Sequence, residues 1–156
     1  MKEPETVVRV DTPAGLVEVV AECHNGKCRR VSFQNIASFV MHRDKTIEVL
    51  GIGSLRVDVA YGGMIYCLVE SQDVDVGLSR DEARDLVELG ERIKAAAAEQ
   101  LPSMHPENTA IHTVNQTEFV GGIKVIDGVK TSKNAVIVSP GRIDRCPCGT
   151  GTSARM

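Results

Sequence analysis

Tryptophan is absent from this sequence, and only five residues are aromatic: Phe33, Phe39, Phe119, Tyr61 and Tyr66. Recognition built on base stacking or cation–π contact has almost nothing to work with. Basic residues form no block, and 18 Lys and Arg stand against 21 Asp and Glu for a net charge of -3, so an electrostatic footprint for nucleic acid is missing. No apolar run approaches the ~20 residues a membrane span requires. The opening Met1-Lys2-Glu3-Pro4-Glu5 is acidic and lacks a signal peptide's apolar stretch, which makes a reducing cytoplasm the expected setting. There, five cysteines read as free thiols rather than a disulfide framework.

What is present is ordinary globular usage, 42% hydrophobic and 25% charged, which excludes collagen-like, disordered and coiled-coil classes. With so few rings, the core must be built from Val, Ile, Leu and Ala. The 156 residues suit one domain or a piece of something larger.

The chain up to about Val74 reads as short strands. Leu16–Val20 and Cys28–Phe33 flank Asn25-Gly26, a strong hairpin signal because a type I′ turn needs positive φ at both central residues. That register sets Cys23 opposite Cys28 and His24 opposite Lys27. Leu55, Val57 and Val59 alternate with Arg56 and Asp58, the pattern of a half-buried strand, and Met64–Val69 resumes after Gly62-Gly63. From Ser79 the period changes. Ser79 and Glu82 form a capping-box pattern, and Ala83, Leu86, Val87, Gly90, Ile93 and Ala97 share one helical face that ends near Leu101-Pro102. Thr113–Val120, Gly122–Ile126 and Ala135–Val138 follow as strands, the last two expected to meet across Asp127-Gly128.

The chemistry concentrates in the tail, Asp144-Arg145-Cys146-Pro147-Cys148-Gly149-Thr150-Gly151-Thr152-Ser153-Ala154. It predicts a turn at Pro147 and a Gly-rich loop entering a helix at Thr152 or Ser153. A helix N-terminus presents unpaired N–H groups and partial positive charge, suited to a carboxylate or phosphate. The same field is expected to lower the Cys148 thiol pKa. A buried structural cysteine before an ordinary helix is the alternative on these residues alone. The stretch has no Walker lysine, which argues against a nucleotide phosphate loop.

This tail resembles the second cysteine motif of the proline racemase family, which includes the 4-hydroxyproline 2-epimerases and, with that cysteine altered, the trans-3-hydroxyproline dehydratases. Asp11-Thr12-Pro13-Ala14-Gly15-Leu16-Val17, Ile36-Ala37-Ser38-Phe39 and Val57-Asp58-Val59-Ala60-Tyr61-Gly62-Gly63 are similar to the family's upstream segments and occur in the same order. The resemblance implies an α+β, diaminopimelate-epimerase-like pair of pseudo-symmetric domains. Residues 1–43 would end the first and residues 44–156 would begin the second.

It also implies cofactor-independent stereoinversion at the α-carbon of proline or 4-hydroxyproline, with two cysteines on opposite faces of the substrate. One, as thiolate, takes the α-proton and the other, as thiol, delivers a proton. By position, Cys148 is one of the two. Asp144 pairs with the ring nitrogen, Gly149 and Thr150 N–H groups bind the carboxylate, and Val138 walls the ring. The implied partner is a small-molecule substrate, with no metal, nucleic acid or membrane, and complete members would form a homodimer.

Departures from the family pattern set limits. Its other cysteine lies in a Met-Cys-Gly-His segment, and no Cys-Gly-His occurs here. The expectation is therefore a fragment lacking both ends, inactive alone, or else a small carboxylate-binding module. Met64, Ala37, Cys67 and Cys146 replace a usual Asn, Pro, small residue and Ser. Among other thiols, Cys146-Pro147-Cys148 is too tight for an easy disulfide, and no second pair completes a zinc set. Cys23 and Cys28 read as a reduced cross-strand pair, with His24 on the opposite sheet face. His42, His105 and His112 read as surface or structural residues.

Overall fold

In the computed structural model, which describes residues 2–156, Asn25 and Gly26 take φ values of 51° and 69°. These close the expected hairpin between β2 (Gly15–His24) and β3 (Lys27–Phe33), with Cys23 opposite Cys28 and His24 opposite Lys27. Both thiols are free. β1 (Glu5–Thr12) pairs antiparallel with β2, completing a three-stranded sheet. Cys23 is the one fully buried residue on these strands, while Val7, Leu16 and Phe33 are 56%, 66% and 57% exposed. This sheet thus carries little core of its own.

The strands belong to the first of two compact units, Met1–Ala37 and Ser38–Met156. Residue 43, where the sequence suggested a boundary, lies within β4 (Phe39–Val49) of the second unit. The unit's central sheet also contains β5 (Gly53–Tyr61), β6 (Ile65–Glu70) and β7 (Gln116–Val120). Two further strands, β10 (Asn134–Val138) and β11 (Arg142–Ile143), complete the order β11-β10-β7-β6-β5-β4. Only the β6–β7 pair is parallel, and the long helix α1 (Ala83–Gln100) makes that crossover.

The helix begins as expected. Ser79 and Glu82 form a reciprocal capping box through a 3-10 turn at Arg80–Glu82, and the Ser79 N–H donates to Glu82 Oε2 at 2.9 Å. Leu86, Gly90, Ile93 and Ala97 are buried, whereas Ala83 and Val87 are only partly so. The helix lies against β4, β7, β10 and β11. Gly90 lies tight against the sheet: a Cβ there would stand 2.5 Å from Ile137 Cγ1, and its carbonyl accepts from Thr117 Oγ1 at 2.8 Å.

One strand connection differs from expectation. Asp127-Gly128 joins β8 (Lys124–Ile126) to β9 (Val129–Thr131), a small exposed hairpin, and not to Ala135–Val138. Val129–Thr131 is too short and polar to stand out as a strand. β10 is instead recruited beside β7, where Val136 and Ile137 are buried.

A short helix, α2 (Gly149–Arg155), lies against β5 and β6. No helix among the described residues is long and apolar enough to cross a membrane.

Two outcomes follow from this packing. Gly90→Ala should destabilise the chain by about 1–3 kcal/mol in urea unfolding, because overpacking against the buried Ile137 outweighs a propensity gain of at most about 1 kcal/mol. Amide hydrogen exchange should be fast in β1–β3 and slow in β5–β7, reflecting exposed against buried strands. Equal protection across both sets would contradict that ordering.

Candidate active site

Cys148 is the hinge between the β11 segment and α2. Its φ of 60° is unusual for a residue with a Cβ, and it turns the chain so sharply that the helix starts at Gly149, earlier than the expected Thr152 or Ser153. The Cys148 carbonyl accepts the first helical bond, from Thr152 N–H at 2.8 Å. Close packing holds α2 in place. A Cβ on Gly62 would stand 2.2 Å from the Thr150 carbonyl oxygen and 2.6 Å from Ala154 N, so that only glycine permits this approach.

The turn drives the thiol inward. Cys148 is 6% exposed and packs with Ala60, Tyr66, Val136 and Ala154, with Leu68 and Val138 against the same cluster. Sγ lies 3.4 Å from the Tyr66 hydroxyl, which in turn lies 2.6 Å from Thr150 Oγ1. Burial pushes the Cys148 thiol above its ordinary value; hydrogen bonds from Tyr66, the Gly151 N–H and Thr150 act in the opposite direction, while Asp144 adds to the rise. The sequence led to the reverse expectation, a thiol lowered by the helix terminus. Desolvation in the buried cluster outweighs that field. Burial likewise raises the Tyr66 phenol, so the hydroxyl remains neutral and able to donate.

Asp144 stands at the near edge of this cluster. Its carboxylate accepts from the Cys146 N–H at 3.1 Å and from Cys146 Sγ at 3.4 Å. Burial works against its charge, but these bonds and one to Cys148 hold the carboxyl below its ordinary value, so it carries a negative charge beside the thiol. Cys146 is thus a scaffold for Asp144. Its sulfur also accepts from the Cys148 N–H at 3.2 Å. The structure therefore brings Cys148, Asp144, Thr150 and Val138 together, with Gly149 exposed at the head of α2.

The other cysteines differ in character. Cys67 is fully buried in β6, and burial, followed by the Asp58 charge, pushes its thiol up to about 12. It is a packing residue. No group of three or more His, Cys, Asp or Glu among the described residues could hold a metal ion.

Two side chains of this neighbourhood escaped the sequence reading. Tyr66 reads as one more apolar residue of a buried run, and nothing in its spacing announces a thiol partner. Glu118 sits in a strand whose alternation would turn it to solvent. Because β7 is central, however, Glu118 is fully buried. The available signal was its position in a segment with strands on both sides.

Comparison with known proteins gives this geometry a context. The sequence model described as Proline racemase matches residues 1–156. The chain belongs to the proline racemase family. A probable proline racemase from Agrobacterium radiobacter K84, solved with bound carbonate, superposes with a TM-score of 0.88 at 36% identity. A hydroxyproline epimerase from Agrobacterium vitis, solved with bound trans-4-hydroxy-L-proline, also gives 0.88, at 37% identity. Each alignment covers 99% of this chain and 44% of the solved one, so the chain spans less than half the length of these relatives. The α+β architecture is shared with them over that span.

Removing the Tyr66 hydroxyl should raise the thiol pKa further, since its hydrogen bond favours the thiolate. In Tyr66→Phe, iodoacetamide labelling of Cys148 near pH 8, located by peptide mass spectrometry, should fall by roughly two- to tenfold, the worth of one such bond. Unchanged labelling would remove Tyr66 from the set of groups that tune the thiol.

Proposed function

We propose that this chain carries one half of an amino-acid racemase or epimerase site, with Cys148 as an acid/base thiol acting at the α-carbon of 4-hydroxyproline or proline. The observation that carries the reading is the buried, hydrogen-bonded Cys148 thiol at the head of α2, beside an ionised Asp144. Family membership and the hydroxyproline epimerase neighbour support the substrate class.

The chemistry follows from the groups present. An α-proton is only weakly acidic, so its removal needs donors that stabilise charge on the substrate carboxylate. The N–H groups of Gly149 and Thr150, at the open first turn of α2, are suited to that carboxylate. Asp144 is suited to the cationic ring nitrogen, and Val138, packed against the thiol's cluster, to the ring face. With its pKa raised, Cys148 is a thiol at neutral pH. Its first role is then proton donor: a base on the far face takes the α-proton, the S–H bond breaks, and the proton adds to the α-carbon from the Cys148 side. The reverse direction starts from the thiolate.

The second unit, Ser38–Met156, would in this reading form the opening part of the second epimerase-like half. The opposing base is not among this unit's other cysteines, since Cys67 is fully buried and Cys146 is engaged with Asp144. With Cys23 and Cys28 on the β2–β3 hairpin of the other unit, the 156-residue chain should in this reading bind substrate without inverting it.

The test is direct. In deuterated water, proton NMR should show no inversion of trans-4-hydroxy-L-proline by the chain alone. The same compound at millimolar concentration should slow iodoacetamide labelling of Cys148, and Asp144→Asn should abolish that protection. Absence of protection in the parent chain would overturn the substrate assignment, and inversion by the chain alone would overturn the single-thiol reading.

A further inference from the structure

Glu118 poses a physical problem that the proposed site does not absorb. It lies on β7, between β6 and β10, and its side chain is fully buried. Asn134 Nδ2 donates to Oε1 at 2.8 Å, but Oε2 is buried with no hydrogen-bond partner. An orphaned carboxyl oxygen costs free energy unless it is protonated or serves a neighbouring group.

Its surroundings identify that neighbour. Thr117 points to α1 through its bond to Gly90, so strand alternation turns Glu118 to the opposite sheet face, toward α2. There a Cβ on Gly151 would stand 2.8 Å from Glu118 Oε2 and 3.1 Å from Cys148 Sγ. A side chain at Gly151 would therefore meet both the carboxyl oxygen and the sulfur. Glycine at this helical position costs about 1 kcal/mol relative to alanine, and the close approach of these two groups is the reason it is there.

We propose that Glu118 is a positioning residue for the Cys148 thiol, a buried carboxyl whose charge opposes a charge on the sulfur across Gly151. This rests on Cys148 being the acid/base group. Other polar and charged groups face the pair from the elements packed around it, and the Glu118 charge also acts on the Tyr66 phenol. Arg155 on α2 directs its guanidinium to Ser132 Oγ at 2.9 Å and the Gly121 carbonyl at 2.8 Å, and so acts on Glu118 only through space. Asn134 on β10 is neutral. Tyr66 on β6 and Thr150 on α2 donate or accept at the sulfur side, and Asp144 contributes a second negative charge beside the thiol.

Two buried acids so placed cannot both ionise easily, and they titrate as a pair. While Cys148 is a thiol, Glu118 can hold the charge. When the thiol has given its proton to a substrate carbon, an ionised Glu118 disfavours the new thiolate and so favours its reprotonation. The carboxyl thereby sets how readily the sulfur gives up and regains its proton, without touching substrate.

The experiment reads the thiol's pH profile in the 156-residue chain. Iodoacetamide labelling of Cys148, followed peptide by peptide, should rise in two steps in the parent. In Glu118→Gln, which keeps the acceptor for Asn134, it should rise in one step with a midpoint about one pH unit lower, roughly tenfold more labelling at a fixed pH below it. Superimposable profiles in a variant whose circular dichroism matches the parent would overturn the proposal. A second measurement leaves Glu118 in place: with carbon-13 in the glutamate carboxyls, the Glu118 resonance should titrate in two steps in the parent and in one step in Cys148→Ser. Identical Glu118 titrations in both would also overturn it. Neither readout depends on turnover, so loss of hydroxyproline protection at Cys148 would sink the substrate reading while these profiles still decide the coupling.

Discussion

The site depends on how closely the backbone of α2 can approach the sheet. Gly62, after β5, leaves no Cβ where the Thr150 carbonyl and Ala154 N must pass, and Gly151 leaves none between Glu118 and Cys148. Helix formation alone disfavours glycine inside α2, where Gly151 lies. Gly62 and Gly151 both fit a helix seated directly on the strands, which carries Cys148 into a buried cluster rather than onto the surface. One residue with a Cβ at either place would lift the helix and, with it, the thiol.

That seating decides the electrostatics. A cysteine at a helix N-terminus in water would have its thiol pKa lowered, and here the opposite holds because burial outweighs the terminal field. The surrounding donors, Tyr66 above all, moderate the rise without reversing it. Asp144 keeps its charge through Cys146, whose spacing already argued against a disulfide with Cys148 and which serves as a hydrogen-bond support. The result is a neutral thiol between a charged carboxylate at the edge and a buried carboxyl behind it, an arrangement suited to moving a proton and poorly suited to a nucleophile.

The long helix has a different part. By packing on β7 and β10 through Gly90, and by accepting from Thr117, α1 fixes the strand from which Glu118 projects to the other face. A shift of one residue in β7 would exchange Thr117 and Glu118 between the two faces, placing a carboxyl under α1 and a hydroxyl beside Cys148. The register of a central strand is thus part of the site's chemistry, though neither α1 nor Thr117 touches the thiol.

Much of this was legible in the order of residues. Asn25-Gly26 dictates its turn because few residues accept positive φ, Ser79 and Glu82 cap a helix within four residues of each other, and Asp144 to Ala154 bring their own reactive groups together in one short stretch. These are local effects that neighbouring residues determine. The partner of β10, the direction of the Cys148 pKa shift, and the roles of Tyr66 and Glu118 were not legible. Each arises between residues far apart in the chain, Tyr66 from Cys148 by 82 positions, and depends on which strand lies at the centre of the sheet and how near α2 can come to it. The sequence by itself determined which groups are available at Cys148; only the tertiary structure, by removing water from around them, decided which of those groups carry charge.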